Sequence, residues 1–373
     1  MNCMGLYIHI PFCKSKCLYC DFNSFAHKEE YITPYFSALL REASAWAEKL
    51  SNKKFDTVYF GGGTPSYIPP ALLSSAITEI KRLFTLTEDC EITIECNPAT
   101  IDVDGLKQLR LVGANRLSIG LQSTNDMCLK TLGRIHTLRD FEECLTAARA
   151  AGFDNVSLDL MYGLPDMTIS DWNECLDKAL AFDAEHISVY ALKVEDGTPF
   201  SKMTLNLPSE DESADMYELA LDRLSKAGYN RYEISNFAKS GRASRHNQKY
   251  WHCDDFLGLG AGAYSCVFDS RFSNQTDISK YIKSVLSTGF AVCEKTPLDK
   301  KDQMSEFVFL GLRCEDGISL AEFEERFGKS LLTHFAAPIK KYTDWGFLIL
   351  ENGRLRLSDK GFFVSNAILS DFV

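Results

Sequence analysis

The chain has 373 residues, of which 45% are hydrophobic and 24% charged. That is ordinary globular composition, and it excludes a disordered, collagen-like or purely coiled-coil protein. With 40 basic against 51 acidic residues the net charge is −11, which argues against a nucleic-acid binder, because phosphates are met by basic faces. No apolar run nears the ~18 residues of a membrane span, and the first ten residues lack the basic start and apolar core of a secretory signal, so the cytoplasm is the expected compartment.

Apolar runs alternate with helical patterns from the start of the chain. Strands are expected over 6–10, 57–60, 91–95, 116–121, 156–161 and 187–191, and helices over 31–50, 71–84, 103–112, 138–151, 170–182 and 210–227. Gly113, Gly152 and Gly228 stand where helices should stop in left-handed caps. Six strand–helix units imply a parallel sheet with right-handed crossovers. A closed eight-unit barrel needs about 250 residues. Six units in roughly 230 residues therefore read as a partial (β/α)6 barrel, with a doubly wound sheet as the alternative.

The expected organisation is a core over 1–230, an extension over 231–300 and a C-terminal domain over 301–373. The extension is rich in Ser, Asn, Gly and aromatics, poorly periodic, and expected to pack against the barrel. The last segment reads as helices over 305–312, 320–327 and 331–345, the last interrupted at Pro338. A hairpin turning at Asn352-Gly353 and a helix from Asp359 complete a small α+β, winged-helix-like unit. Residues 297–373 carry 10 basic and 12 acidic side chains, which does not suit DNA.

Ten of the 13 cysteines are scattered and read as small core residues. The other three, Cys13, Cys17 and Cys20, fall within eight residues just after the first strand, spaced C-x3-C-x2-C. Thiolates are soft ligands that select zinc or iron–sulfur clusters. Either group, when fully ligated by protein, takes four ligands, and no fourth lies in the loop. A zinc site completed by Cys3, His9 or His27 is one reading. A cluster with one iron left open is the other.

The triplet resembles the signature of the radical S-adenosylmethionine (SAM) enzymes, which carry it after the first barrel strand. The resemblance implies a [4Fe-4S] cluster whose open iron chelates SAM, and one-electron cleavage of the sulfonium to a deoxyadenosyl radical. It places Gly62 and Gly63, in Gly61-Gly62-Gly63-Thr64-Pro65, at the amino group of SAM, with Thr64 beside them. Polar residues at the carboxyl ends of barrel strands usually point into the site. Glu95 and Gln122 stand there, Arg134 follows, and Asp159 sits within the fifth strand, where an embedded charge calls for a partner. The bland alternative is that Glu95 and Asp159 simply pair with Arg134 or Arg116. The whole set resembles the coproporphyrinogen dehydrogenase group, which shares Tyr7 before the cysteines and an aromatic at Tyr19. That resemblance puts Tyr7, Gly62 and Glu95 around SAM, and Gln122, Arg134 and Asp159 in the cavity where the dehydrogenase holds a second SAM. Residues 258–263 resemble its adenine-covering segment.

The group divides into the dehydrogenase and a heme-chaperone branch. The dehydrogenase motif has a further cysteine where Phe22 stands here, and a long segment before the motif where this chain has twelve residues. His246-Asn247-Gln248-Lys249-Tyr250-Trp251 matches the HNxxYW motif of the chaperones. His246 is then the expected heme ligand, with His252 as competitor, since histidine commonly ligates heme iron. The resemblance implies three cofactors (cluster, SAM and heme), an apo-hemoprotein acceptor, an electron donor, and membrane contact, if any, through the acceptor. Oxidation of coproporphyrinogen III and a zinc-stabilised interaction protein are the alternatives.

Overall fold

The fold is taken from a computed structural model that describes residues 3–373. All six expected strands form: β1 (Met4–Ile10), β2 (Lys54–Gly62), β3 (Thr85–Cys96), β4 (Arg116–Gln122), β5 (Val156–Tyr162) and β6 (His186–Ala191). They lie side by side in chain order and all pair parallel. A doubly wound sheet would reverse its strand order part-way, so this is the partial barrel. The crossover helices are α1 (Ile32–Lys49), α2 (Pro70–Leu83), α3 (Val103–Leu111), α5 (Leu138–Ala150), α6 (Ile169–Ala181) and α7 (Glu210–Lys226), with a short α4 (Asp126–Thr131) between β4 and α5 that the periodicity did not show. Helices on one face and the barrel interior on the other bury these strands, hence their near-continuous apolar runs. Gly113, Gly152 and Gly228 take the expected positive φ. Helices α5, α6 and α7 each open with a reciprocal capping box, at Thr137/Asp140, Thr168/Asp171 and Ser209/Glu212.

The segment expected as an irregular extension instead lengthens the sheet at both edges. Asn230–Glu233 and Asn236–Ala238 join β6 antiparallel. Phe256–Leu259 pairs parallel with β1 on its other side, a seventh parallel strand, and three antiparallel strands continue outward to Val292–Pro297. Four-residue strands broken by Gly258 and Gly260 leave too little alternation to read.

A second apolar core gathers between Met304 and Phe372. There Ile318–Ser319, Leu348–Glu351 and Arg354–Leu357 form an antiparallel sheet. Asn352 and Gly353 turn the hairpin with positive φ, as the sequence pattern requires. The helical break falls at Phe335, not Pro338. Pro338 sits in the first turn of Ala336–Asp344, where an amide hydrogen has no intrahelical partner to lose. Arg231, its side chain 9% exposed, joins the two cores: it pairs with Glu315 and Asp359 and lies over the Phe362 ring. No helix among the described residues is long and apolar enough to cross a membrane.

Candidate functional site

The cysteine loop is clasped at its base and held at its tip. Phe12–Cys13 pairs parallel with Phe25–Ala26. The amides of Gly63 and Thr64 donate to the carbonyls of Ile10 and Phe12, each at 2.8 Å. At the tip, Leu18 donates to Leu132 and accepts from Phe200. His9 Nε2 donates to the Asn23 carbonyl, so its Nδ1 accepts from Tyr7 Oη. The glycines are sterically required: Gly62 has φ +111°, and a Cβ there would lie 2.4 Å from the His9 ring.

This scaffold brings eleven of the thirteen expected residues around one cavity of about 140 Å³: Cys13, Cys17, Cys20, Tyr19, Gly62, Gly63, Thr64, Glu95, Gln122, Arg134 and Asp159. Each cluster sulfur has a polar neighbour. Thr64 Oγ1 is 3.5 Å from Cys13 Sγ, Arg134 Nη1 3.6 Å from Cys17 Sγ, and Ser24 Oγ 3.9 Å from Cys20 Sγ. Burial pushes the Cys13 and Cys20 thiols above their ordinary range. Cys3, His9 and His27 do not line this cavity. Among the described residues no group of three or more His, Cys, Asp or Glu side chains, the triplet included, converges closely enough to hold a single metal ion. Three soft sulfurs around a shared hollow, each with a donor at its back, suit a body with several metal corners.

The carboxylates answer the question left open above. Neither Glu95 nor Asp159 forms an ion pair within 4.0 Å with Arg116 or Arg134 among the described residues. Glu95 accepts from Gly62 N and Tyr59 Oη, both at 2.9 Å. Burial outweighs these bonds and pushes its pKa up to about 7. Burial likewise raises Asp159, against the pull of Ser188 and Arg116. Arg134 Nη2 donates to Asn97 Oδ1 and the Gly120 carbonyl, both at 2.7 Å, and so aims Nη1 at Cys17.

Two expected residues stand elsewhere. Tyr7 does not line the cavity; it is bonded to His9 and stacked on Tyr59. His246, on α8 (Arg245–Trp251), is 1% exposed. Its Nδ1 is 2.8 Å from Thr57 Oγ1 and its Nε2 2.8 Å from Tyr250 Oη. Burial, with Lys249 nearby, lowers its pKa to about 3, so the ring is neutral. As placed, it has no free lone pair for heme iron, and this departs from the axial-ligand expectation. In the same segment His252 is exposed.

Sequence reasoning missed Asn97, which also donates to Thr64 Oγ1 and so couples Thr64 to Arg134. It missed Tyr59 too, and it saw Arg116 only as a structural partner. The Arg116 side chain is 2% exposed, with a partnerless Nε, and lines a second hollow of about 360 Å³ that shares Glu95, Gln122 and Asp159 with the first. Asn97 stands two residues after Glu95, just past the end of the same strand, which was an available signal. Arg116, early in its strand, had none.

A parallel partial barrel with a three-thiol loop after its first strand and a glycine run after its second has the architecture of a radical SAM protein. Residues 7–179 match the Radical SAM superfamily and residues 298–364 the HemN C-terminal domain. The chain is 35% identical over 372 residues to heme chaperone HemW of Bacillus subtilis (strain 168), covering 98% of each. It is 32% identical to radical S-adenosyl methionine domain-containing protein 1, mitochondrial, of Bos taurus, covering 98% of this chain and 86% of that one. Coproporphyrinogen III oxidase (HemN) from Escherichia coli superposes with a TM-score of 0.89 at 25% identity, over 99% of this chain and 90% of that one. The chain therefore belongs to the HemW family within the radical SAM superfamily.

Proposed function

We propose that the chain is a heme chaperone, which binds heme and passes it to an apo-hemoprotein, with a [4Fe-4S] cluster on Cys13, Cys17 and Cys20 and SAM in the adjoining cavity. The observation that carries the reading is the 35% identity to a protein named heme chaperone HemW over 98% of both chains. Phe22, 64% exposed, supplies no thiol at the position where the dehydrogenase resemblance calls for one. The divisions 1–230, 231–300 and 301–373 stand as part of this reading, supported by the two separate apolar cores. Cytoplasmic work, with an external electron donor and only acceptor-mediated membrane contact, belongs to it as well, and thirteen unpaired cysteines suit a reducing compartment.

When bound, the cluster would chelate the methionyl end of SAM through its open iron and supply the electron that cleaves the sulfonium. The chain's own work is positioning. Gly62 and Glu95 would take the SAM ammonium, and Arg134, 3.6 Å from Cys17 Sγ, would hold that corner of the cluster. Glu95 must be ionised to take that ammonium, and its free pKa is about 7. SAM should therefore bind about tenfold more weakly at pH 6 than at pH 8, because below the pKa a proton must leave first. Calorimetric titration of the anaerobically reconstituted protein at the two pH values checks this, and Glu95→Gln should flatten the profile. Equal affinity at both pH values in the native chain counts against the assignment.

For heme, the geometry favours His252 over His246. The exposed His252 ring follows Trp251, whose face carries Arg313 at 5.3 Å, and the His252 carbonyl accepts from Arg326. An imidazole, an indole and two guanidinium groups suit a flat macrocycle with two carboxylate arms. His252→Ala is expected to weaken heme binding at least about tenfold in a spectroscopic titration. His246→Ala should leave heme affinity nearly unchanged and lower stability by about 2–3 kcal/mol, because it strands two buried hydroxyls. The opposite pattern restores His246 as the ligand.

The second reading, oxidation of coproporphyrinogen III, has the HemN superposition in its favour. Incubation with SAM, reductant and coproporphyrinogen III under strict anaerobiosis separates the two: protoporphyrinogen formation would overturn the chaperone reading. Heme transfer from the loaded protein to candidate apo-hemoproteins tests that reading directly.

A further inference from the structure

Two cysteines outside the triplet meet behind the SAM cavity. Cys96 ends β3 between Glu95 and Asn97, and Cys144 lies on the inner face of α5. Their sulfurs are 3.8 Å apart, and the residues are 3% and 4% exposed. Cys96 is also one of the residues lining the SAM cavity. Buried cysteines usually pack singly as small hydrophobes. Here two free thiols face each other, and the residue that carries one of them borders a hollow that a small oxidant can enter.

We propose that Cys96 and Cys144 form a peroxide-sensitive dithiol site, whose disulfide state loosens the grip on SAM. With the Cys96 thiol directed at the Asn97 carbonyl, the Cys144 thiol is left to donate to Cys96, which lowers Cys96, raises Cys144 and makes Cys96 the first to react. The Cys96 sulfur takes one oxygen of hydrogen peroxide as a sulfenic acid, and the other oxygen leaves as water. The Cys144 sulfur then attacks Cys96, the S–S bond forms, and a second water leaves. Two thiols lose two electrons in all, one peroxide gains them, and a dithiol reductant reverses the change.

The consequence for the site follows from where Cys96 sits. A disulfide needs its sulfurs about 2.05 Å apart, so the two sulfurs must approach by roughly 1.8 Å, and whatever side-chain rotation does not supply is drawn from the end of β3 and from α5. The residues on either side are Glu95, which holds Gly62 N, and Asn97, which holds Thr64 and Arg134. Those two in turn lie against Cys13 and Cys17. A pull on Cys96 therefore moves the wall of the SAM cavity and the donors behind two cluster sulfurs together. Bound SAM should shield Cys96 from peroxide.

The experiment uses the full chain, anaerobically reconstituted, exposed to one equivalent of hydrogen peroxide with and without saturating SAM. Free thiols are then alkylated and tryptic peptides mapped. The expected result is a Cys96–Cys144 linked peptide as the main disulfide, suppressed by SAM. SAM affinity should fall at least about fivefold and recover with dithiothreitol without added iron. Peroxide also attacks clusters, so Cys144→Ser is treated in parallel: it keeps every cluster ligand and should keep its SAM affinity. If that variant folds poorly, Cys144→Ala replaces it, and the peptide map needs no variant. No enrichment of the linked peptide over other cysteine pairs, or an equal loss of affinity in the Cys144 variants, overturns the proposal. The SAM-shielding and SAM-affinity arms rest on the function proposed above and the linked peptide does not: a link that forms equally with SAM present upholds the dithiol site and counts against SAM in the cavity.

Discussion

Replacing Cys17 by alanine should yield a folded chain that holds no [4Fe-4S] cluster. Iron and labile sulfide should fall from about four each per chain to well under one after anaerobic reconstitution, because a three-thiolate cluster has no spare protein ligand. Cys17 is the informative member of the triplet. It is half-buried, whereas Cys13 is buried in the strand that clasps the loop, so alanine at Cys13 mixes lost ligation with lost packing. The Cys17 loop does not depend on its sulfur: Leu18 is tied to Leu132 and Phe200 through backbone alone. The apo forms of native and variant chains should therefore melt within a few degrees of each other. SAM affinity should collapse with the cluster, since the iron corner and the Arg134 contact to Cys17 are lost together. A Cys17→Ala protein that keeps a full iron and sulfide content overturns the three-cornered cluster.

The parts of this site that were legible in the sequence are those set by local chemistry. Three thiols in one loop, three glycines after a strand and an acid at a strand end carry their meaning wherever the loop lands. What the sequence did not show depends on partners far along the chain. Whether the His246 ring faces a ligand or the core is decided by Thr57, 189 residues away, and by Tyr250 one turn on. The seventh parallel strand pairs Gly5 with Phe256, a contact no local pattern announces. The importance of Asn97 comes from joining Thr64 to Arg134, which are themselves distant in sequence. The same applies to Cys96 and Cys144, each unremarked as a lone core cysteine until the fold sets them face to face.

Glu42 should prove among the costliest single residues to remove, though it lies outside the cavity. It sits on α1, fully buried, and its carboxylate collects three donors. Gly260 N and Tyr281 Oη reach one oxygen at 2.9 and 2.7 Å, and Asn274 Nδ2 reaches the other at 2.7 Å. Through them α1 fixes the turn after the seventh strand, within the 258–263 stretch that resembles the adenine cover. The turn has no slack: Gly260 has φ +101°, and a Cβ there would lie 2.5 Å from Tyr35 Oη. Glu42→Ala strands three buried donors and leaves a void, at a cost of about 3–5 kcal/mol. Glu42→Gln is nearly as harmful, because its amide nitrogen must point at a donor. The pH dependence separates this from a generic core defect. Burial raises the Glu42 pKa to about 7, so the folded state holds its proton more tightly than the unfolded chain does. Its contribution to stability is then greatest below the ordinary carboxylate pKa, declines as pH climbs toward 7, and is level above. The native chain carries this slope and Glu42→Gln does not. Chemical denaturation should therefore show the stability gap between them narrowing by about 2–3 kcal/mol from pH 5 to pH 8. Glu95 has the same sign and is present in both chains, so it cancels from the difference. A gap that stays constant or widens over that range would mean Glu42 is ionised at both ends, its three donors outweighing burial.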